Sequence, residues 1–147
     1  MSDDRSRVTP EAVASWLPGT FPGDLGIEPL AISDGEAVGR IVVDQRHLHP
    51  GGLVHGGVWT ALADTVAAWV TFRAMPPGCD FTTVELKLNV FAAGRPGDEL
   101  TATATPLHTG RTTVVVEVRV DRRGEGEETR RLAASFVATQ FVLPPRD

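Results

Sequence analysis

The sequence is poor in the residues that define several large classes of protein. Cys79 is the only cysteine among the 147 residues, and the formal net charge is −5. A single cysteine excludes an internal disulfide and fits a reducing compartment, so we expect a cytoplasmic protein. The acidic balance argues against a nucleic-acid partner, as do the arginines that stand beside acidic residues in the segment 122–128.

No apolar run forms a clean membrane span, because the most apolar stretch, residues 54–72, contains His55, Asp64, two glycines and three threonines. The charged N-terminus is not followed by an apolar run, so no signal peptide and no membrane partner are predicted. The G-x-S-x-G motif of α/β-hydrolases and the glycine patterns of nucleotide-binding folds are absent. The histidine spacing matches no zinc signature, so we expect neither a metal nor a cofactor.

The residues that are present predict an α+β fold with one long helix and an antiparallel sheet. Thr9, Pro10 and Pro18-Gly19 delimit a short helix over 10–17, and Pro76-Pro77-Gly78 ends a long helix over 58–74. Period-two and β-branched patterns joined by short turns predict strands near 25–32, 36–43, 84–90, 100–108, 112–120 and 131–142. A single domain over 1–147 is expected, with tails at 1–8 and 143–147.

Asp64 is the only ionisable residue between Gly56 and Phe72, in the middle of the long helix. That segment is apolar on nearly all sides, which is typical of a buried helix. Burial raises the pKa of a carboxyl group and makes it a better base near neutral pH. Asp64 is therefore a candidate catalytic carboxylate. The alternative is a structural aspartate that is hydrogen-bonded to the backbone or to Thr65.

The residues His55-Gly56-Gly57 lead into this helix. Glycines allow a ligand to approach the backbone closely, and the first helical turn offers unpaired N–H groups that can stabilise an oxyanion. A plain glycine turn is the alternative. Asp64 lies about 12 Å beyond Gly56 along the helix axis, whereas direct attack needs atoms about 3 Å apart. Either the two groups serve different purposes, or Asp64 acts on a carbonyl that a second subunit holds.

Residues 47–65, HLHPGGLVHGGVWTALADT, resemble the signature of the PaaI-like branch of hotdog thioesterases. The segment 82–91 resembles the strand after the helix, where the family often has Ser or Thr; Thr83 is the best match and Thr82 the alternative. The resemblance covers about residues 25–142. The matching signature positions are Gly52, Val54, His55, Gly56, Gly57 and Asp64.

The resemblance implies a hotdog fold, in which an antiparallel sheet wraps one long central helix, and an acyl-CoA thioesterase that works as a homodimer or homotetramer. The N–H of Gly56 would bind the thioester carbonyl, and Asp64 of the neighbouring subunit would act as general base or as nucleophile. Thr83 would hydrogen-bond water or Asp64. Further substrate-binding positions are predicted at His55, Gly57, Thr65, Thr82 and Arg111. For His55 the alternative is a structural residue that orients the loop, and Arg73, Arg95 and Arg122 are the other candidates for binding the CoA phosphates.

His49 departs from the signature, because the family has an asparagine at this position. Histidine can donate a hydrogen bond and titrates near neutrality, so His49 is a candidate catalytic residue. The alternative is a loop histidine bonded to the backbone, which is the interpretation for His47. A non-catalytic acyl-CoA-binding or assembly module is the main alternative function. The acyl group, and CoA against acyl-carrier protein, stay open.

Overall fold

The computed structural model describes residues 8–146, so almost all of the predicted N-terminal tail lies outside the described residues. Its three helices are α1 (Pro10–Trp16), α2 (Phe21–Asp24) and α3 (Gly56–Ala74). Its six strands are β1 (Glu28–Ile32), β2 (Ala37–Val42), β3 (Asp80–Val90), β4 (Glu99–Thr109), β5 (Thr113–Arg123) and β6 (Arg131–Leu143). A 3-10 turn, Gln45–His47, lies between β2 and α3.

The strands form one antiparallel sheet in the order β1-β2-β4-β5-β6-β3. α3 lies across one face of this sheet, mainly over β4 and β5. The helix is buried, as its apolar sequence predicts. Trp59 and Trp69 are only 2% and 4% exposed and belong to the core between helix and sheet. The structure thus confirms the predicted α+β arrangement of a sheet around one long helix.

Several boundaries differ from the sequence prediction, and α3 and β3 begin earlier than expected, at Gly56 and Asp80. The first strand begins at Glu28 rather than Leu25, because the short helix α2 occupies the preceding segment and is capped by Thr20. β5 continues to Arg123, and β6 includes Leu143, so the C-terminal tail starts one residue later than expected. Although a short turn segment follows β3, that strand does not pair with β4. It pairs with β6 at the sheet edge.

A β-bulge between Thr83 and Glu85 decides which side chains of β3 face the helix. Thr83 pairs with the buried Gln140, and Leu86 pairs with the buried Ala138. Both therefore lie on the inner face, although they are three residues apart. In a regular strand, Thr82 rather than Thr83 would share a face with Leu86.

The inner face of β3 is only partly covered by α3. Leu86 and Val90 point to the helix side of the sheet, yet they are 42% and 43% exposed. Because β3 is also an edge strand, its second side has no partner strand among the described residues. The chain thus presents an apolar strip next to an open strand edge.

Gly39 of β2 gives a stability prediction. A Cβ at this position would lie 2.7 Å from a ring carbon of Trp69 and 2.8 Å from a methyl carbon of Val66. Gly39→Ala is therefore expected to lower the free energy of unfolding by about 1–3 kcal/mol through overpacking. Gly35→Ala is the control, because a Cβ there meets nothing within 4 Å. Urea unfolding measures both; equal stability of the two variants would contradict the packing.

Candidate active site

Asp64 is held by a side chain of β3. The hydroxyl of Thr83 lies 3.2 Å from Asp64 Oδ1, and it also lies 2.7 Å from the amide oxygen of Gln140 on β6. Among the described residues, the Asp64 side chain has no hydrogen bond to Thr65 or to the backbone, the two partners of the structural alternative. The bulge in β3 brings Thr83 to the carboxylate, whereas the side chain of Thr82 is exposed.

Burial raises the pKa of Asp64 above its ordinary value of 3.8, and hydrogen bonds from Thr83 and Gln140 oppose that rise. Gln140 thus stabilises the carboxylate form of Asp64. Its amide nitrogen nevertheless has no acceptor among the described residues that meets the distance and angle of a full hydrogen bond. A half-buried carboxyl group with a raised pKa is suited to accept a proton near neutral pH.

The raised pKa has a consequence for stability. A carboxyl group whose pKa is higher in the folded than in the unfolded state destabilises the fold above the folded pKa, and this effect vanishes below the unfolded pKa. Asp64→Asn is therefore expected to melt at a higher temperature than the wild type at pH 8, and the difference should shrink towards pH 4. Thermal unfolding at equal protein concentration checks this. A difference that grew on acidification would contradict the raised pKa.

The N-terminus of α3 presents a free backbone donor. His55 is the N-cap: its Nδ1 accepts from Gly57 N at 2.8 Å, and its carbonyl accepts from Val58 N at 2.9 Å. No group within residues 8–146 accepts a hydrogen bond from Gly56 N. A Cβ added at Gly56 would also meet nothing within 4 Å, so the donor is sterically open. The N-cap thus satisfies the N–H of Gly57 and leaves the N–H of Gly56 without an acceptor.

A small hairpin places two histidines near this helix end. Leu48 bridges Val54, and His55 N donates to the carbonyl of His47. His47 is fully buried, and its ring bonds to Asp44 N and to the Leu25 carbonyl, as expected for a structural loop histidine.

His49 lies two residues after His47 in the hairpin, so their Cα atoms are about 7 Å apart. Its Nδ1 accepts from Gly51 N at 2.9 Å. The side chain of His49 is half-buried.

The two halves of the site lie apart within one chain. Val54, just before α3, donates its N–H to the carbonyl of Gly94, which follows the end of β3. Asp64 instead contacts Thr83, near the start of β3. This agrees with the separation of about 12 Å along the helix. One chain thus supplies the donor and the carboxylate at different places.

Arg111 lies at the same end of the sheet as Thr83. It is exposed in the β4–β5 turn, where Thr113 pairs with Phe141, and Phe141 pairs with Thr82. The backbones of β5 and β3 are two strand spacings apart at this point, which is about 10 Å. Several other arginines form salt bridges with carboxylates. These pairs are Arg73 with Asp34, Arg122 with Asp98, and Arg40, Arg123 and Arg130 with Glu99.

Gln140 is the site residue that sequence reasoning missed. It is fully buried on β6, between inward-facing apolar residues that alternate along the strand. A polar residue at an inward position of such a pattern is the signal that would have identified it.

Across residues 8–146, no three His, Cys, Asp or Glu side chains are placed to hold a metal ion. No helix in that range is long and apolar enough to cross a membrane.

Comparison with known proteins gives a consistent result. The model of the thioesterase superfamily matches residues 51–129. The chain is 31% identical over 122 residues to a 1,4-dihydroxy-2-naphthoyl-CoA hydrolase of Listeria monocytogenes, covering 83% of this chain and 94% of the relative. A variant of the phenylacetic acid degradation protein PaaI of Thermus thermophilus is similar in structure, with a TM-score of 0.72, 29% identity and coverage of 82% and 96%. A Streptococcus mutans protein solved with acetyl-CoA also has a TM-score of 0.72, with 26% identity and coverage of 82% and 91%.

Proposed function

The chain belongs to the thioesterase superfamily and has its hotdog fold, and from that premise we propose that it hydrolyses acyl-CoA thioesters to free acid and CoA. The observation that carries the proposal is the half-buried carboxylate of Asp64, held by Thr83 in an apolar helix whose N-terminus leaves the Gly56 N–H without an acceptor. The name of the Listeria relative, a CoA-thioester hydrolase, supports the same class of reaction.

The site is proposed to form between two subunits. Asp64 and Gly56 of one chain are too far apart to act on one carbonyl, because reacting groups must approach to about 3 Å. The open edge of β3 and the exposed Leu86 and Val90 beside it provide a surface for a second copy. In such a dimer, Gly56 of one subunit and Asp64 of the other would flank the same thioester. Pairing of two dimers into a tetramer is the further expectation.

In the proposed mechanism, the N–H of Gly56 donates to the thioester oxygen and stabilises the negative charge that develops on it. Asp64 takes a proton from water as the hydroxide adds to the carbonyl carbon, and collapse of the intermediate breaks the C–S bond. Direct attack by Asp64, giving an anhydride that water then hydrolyses, is the other route. The leaving thiolate needs little help, because a thiol has a pKa of about 8.5. His49 would donate to the bound thioester from the Gly56 side.

Coenzyme A is proposed as the carrier of the acyl group. Arg111 is exposed at the Thr83 end of the sheet and is available to the phosphates, whereas Arg73 and Arg122 are paired with carboxylates. The acetyl-CoA complex of the Streptococcus mutans neighbour supports this choice. Thr65 and Thr82 are proposed as further substrate contacts. We also place the activity in the cytoplasm, because the sole cysteine, Cys79, fits a reducing compartment.

The proposal is tested by thiol release from a panel of aliphatic and aromatic acyl-CoA thioesters, with acyl-carrier-protein thioesters as the comparison. Turnover of CoA thioesters by the wild-type protein is expected, and the preferred member identifies the acyl group. If the folded protein binds acyl-CoA but releases no thiol from any member of the panel, hydrolysis is wrong and the chain is a binding module.

A further inference from the structure

The N–H of Gly56 belongs to a peptide unit that is held from both sides. Because a peptide unit is planar, the His55 carbonyl and the Gly56 N–H share one plane and turn together. On the helix side, the His55 carbonyl accepts from Val58 N at 2.9 Å. On the other side, His55 N donates to the carbonyl of His47 at 2.9 Å. The direction of the Gly56 N–H therefore depends on where the backbone of His47 lies.

The ring of His47 fixes the position of its own backbone. The side chain is fully buried, its Nδ1 accepts from Asp44 N at 2.9 Å, and its Nε2 lies 2.8 Å from the Leu25 carbonyl. A ring nitrogen that accepts a hydrogen bond carries no proton, so the network assigns the proton to Nε2, which donates to the Leu25 carbonyl. One tautomer thus satisfies both ring nitrogens. It links the hairpin to Leu25, the C-cap of α2.

The hairpin before α3 has few other restraints. Its two arms are joined by the bridge between Leu48 and Val54 and by the bond from His49 N to the Leu53 carbonyl. An isolated two-stranded hairpin is marginally stable at best in water. The second arm is tied to the end of β3 through Val54 N and the Gly94 carbonyl. The first arm is tied to the rest of the chain through the His47 ring.

An ion pair beside the ring makes a second link to α2. Arg46 donates to both carboxylate oxygens of Asp44 at 3.1 Å and to the carbonyl of Asp24 at 2.6 Å. The side chains of Arg46 and Asp44 are 50% and 51% exposed, whereas that of His47 is 0% exposed. Exposed ion pairs contribute little stability. The buried ring is therefore the main anchor of the first arm.

We propose that His47 is a positioning residue for the oxyanion donor: its buried ring anchors the backbone that accepts from His55 N, and this contact directs the Gly56 N–H towards the thioester oxygen. The inference rests on the proposed function, since it takes the Gly56 N–H as the group that binds the thioester. His47 is fully buried and does not touch substrate. A donor must lie about 2.7–3.1 Å from the developing oxyanion, so a small shift of this backbone reduces the stabilisation of the transition state.

The first test replaces the ring by one without polar atoms. His47→Phe removes both ring hydrogen bonds, those with Asp44 N and with the Leu25 carbonyl. We expect kcat and kcat/KM to fall together by about ten- to a hundredfold, the scale for a misplaced catalytic group, because the affected interaction is made in the transition state. His47→Gln keeps an amide donor for the Leu25 carbonyl and should lie closer to the wild type.

A double-mutant cycle shows whether His47 acts through Gly56. In the Gly56→Pro background the donor is already absent, so His47→Phe should cause no further fall in kcat, since residues that act as a unit are non-additive. Val13→Ala is the matched control for lost stability: it leaves a cavity at a buried position of α1 but removes no side-chain hydrogen bond, and it should keep the wild-type kcat. A fall by the same factor in both backgrounds, or a wild-type kcat in His47→Phe, would overturn the proposal.

NMR of the substrate-free protein keeps the proposal testable if His47→Phe does not fold. In the wild type, nitrogen spectra should show the His47 ring with its proton on Nε2, and the His55 amide proton should be protected from exchange. His47→Gln should shift the Gly56 amide resonance more than that of Val66, in the middle of α3. A ring proton on Nδ1, or an unchanged Gly56 amide, would overturn the positioning role. A wild type that releases no thiol would instead contradict the proposed function, and these spectra would still decide what holds Gly56.

Discussion

Asp64→Asn is expected to lower kcat/KM for acyl-CoA thioesters by at least about a hundredfold, the scale of a lost base or nucleophile. Asparagine has the shape of aspartate and still accepts the hydrogen bond from Thr83, so the fold should persist. It can neither take a proton from water nor attack the carbonyl. Steady-state thiol release on the panel's best substrate measures the loss.

A surface carboxylate supplies the matched control. Asp121→Asn removes one negative charge from β5, where Asp121 pairs with the exposed Arg119, and should leave the kinetics within about twofold, as is usual for surface substitutions. The comparison removes any general effect of net charge. Near-wild-type turnover by Asp64→Asn would show that Asp64 is the structural aspartate of the alternative interpretation.

Gly56→Pro is expected to lower kcat by about a hundred- to a thousandfold, the range for a lost oxyanion donor. Proline removes the one N–H that should bind the thioester oxygen. The local geometry tolerates it, because proline is favoured at the first position of a helix. His55 before it is already extended, with φ −65° and ψ 140°. The thermal stability should therefore hold while activity falls.

Gly56→Ala separates the donor from the space around it. Alanine adds the same Cβ, which meets nothing within 4 Å in this chain, but keeps the N–H. It should retain most of the activity, and any loss through contact with substrate or with a second subunit would appear here. Equal losses in the alanine and proline variants would mean that bulk at residue 56, rather than its N–H, controls the rate.

The sequence predicted the parts of the fold that depend on local pattern. The helix around Asp64, apolar on nearly all sides, identified both the buried element and the carboxylate within it. The sequence prediction began this helix at residue 58, two residues after its observed start at Gly56. The role of His55 as N-cap, which leaves the Gly56 N–H without an acceptor in the first turn, needed the coordinates. The buried helix and its carboxylate can be predicted because a few residues that are neighbours in the sequence determine them.

What the sequence did not predict depends on long-range pairing. Regular alternation from Leu86 backwards selects Thr82, so Thr83 was predicted through the family resemblance and not from the strand pattern. The bulge, set by pairing with β6, turns Thr83 to Asp64. The same pairing brings Gln140 opposite Thr83 from 57 residues away. The edge position of β3 likewise leaves Leu86 exposed, which the period-two pattern alone does not indicate.

The central claim, that one thioester is bound by Gly56 of one subunit and attacked with the help of Asp64 of another, is tested most directly by mixing the two inactive variants. Asp64→Asn and Gly56→Pro are refolded together in equal amounts and assayed for thiol release. Mixed dimers contain one doubly altered site and one intact site, so random pairing should restore about a quarter of the wild-type activity. A mixture whose dimers have exchanged subunits, yet which is no more active than either variant alone, would contradict the shared site.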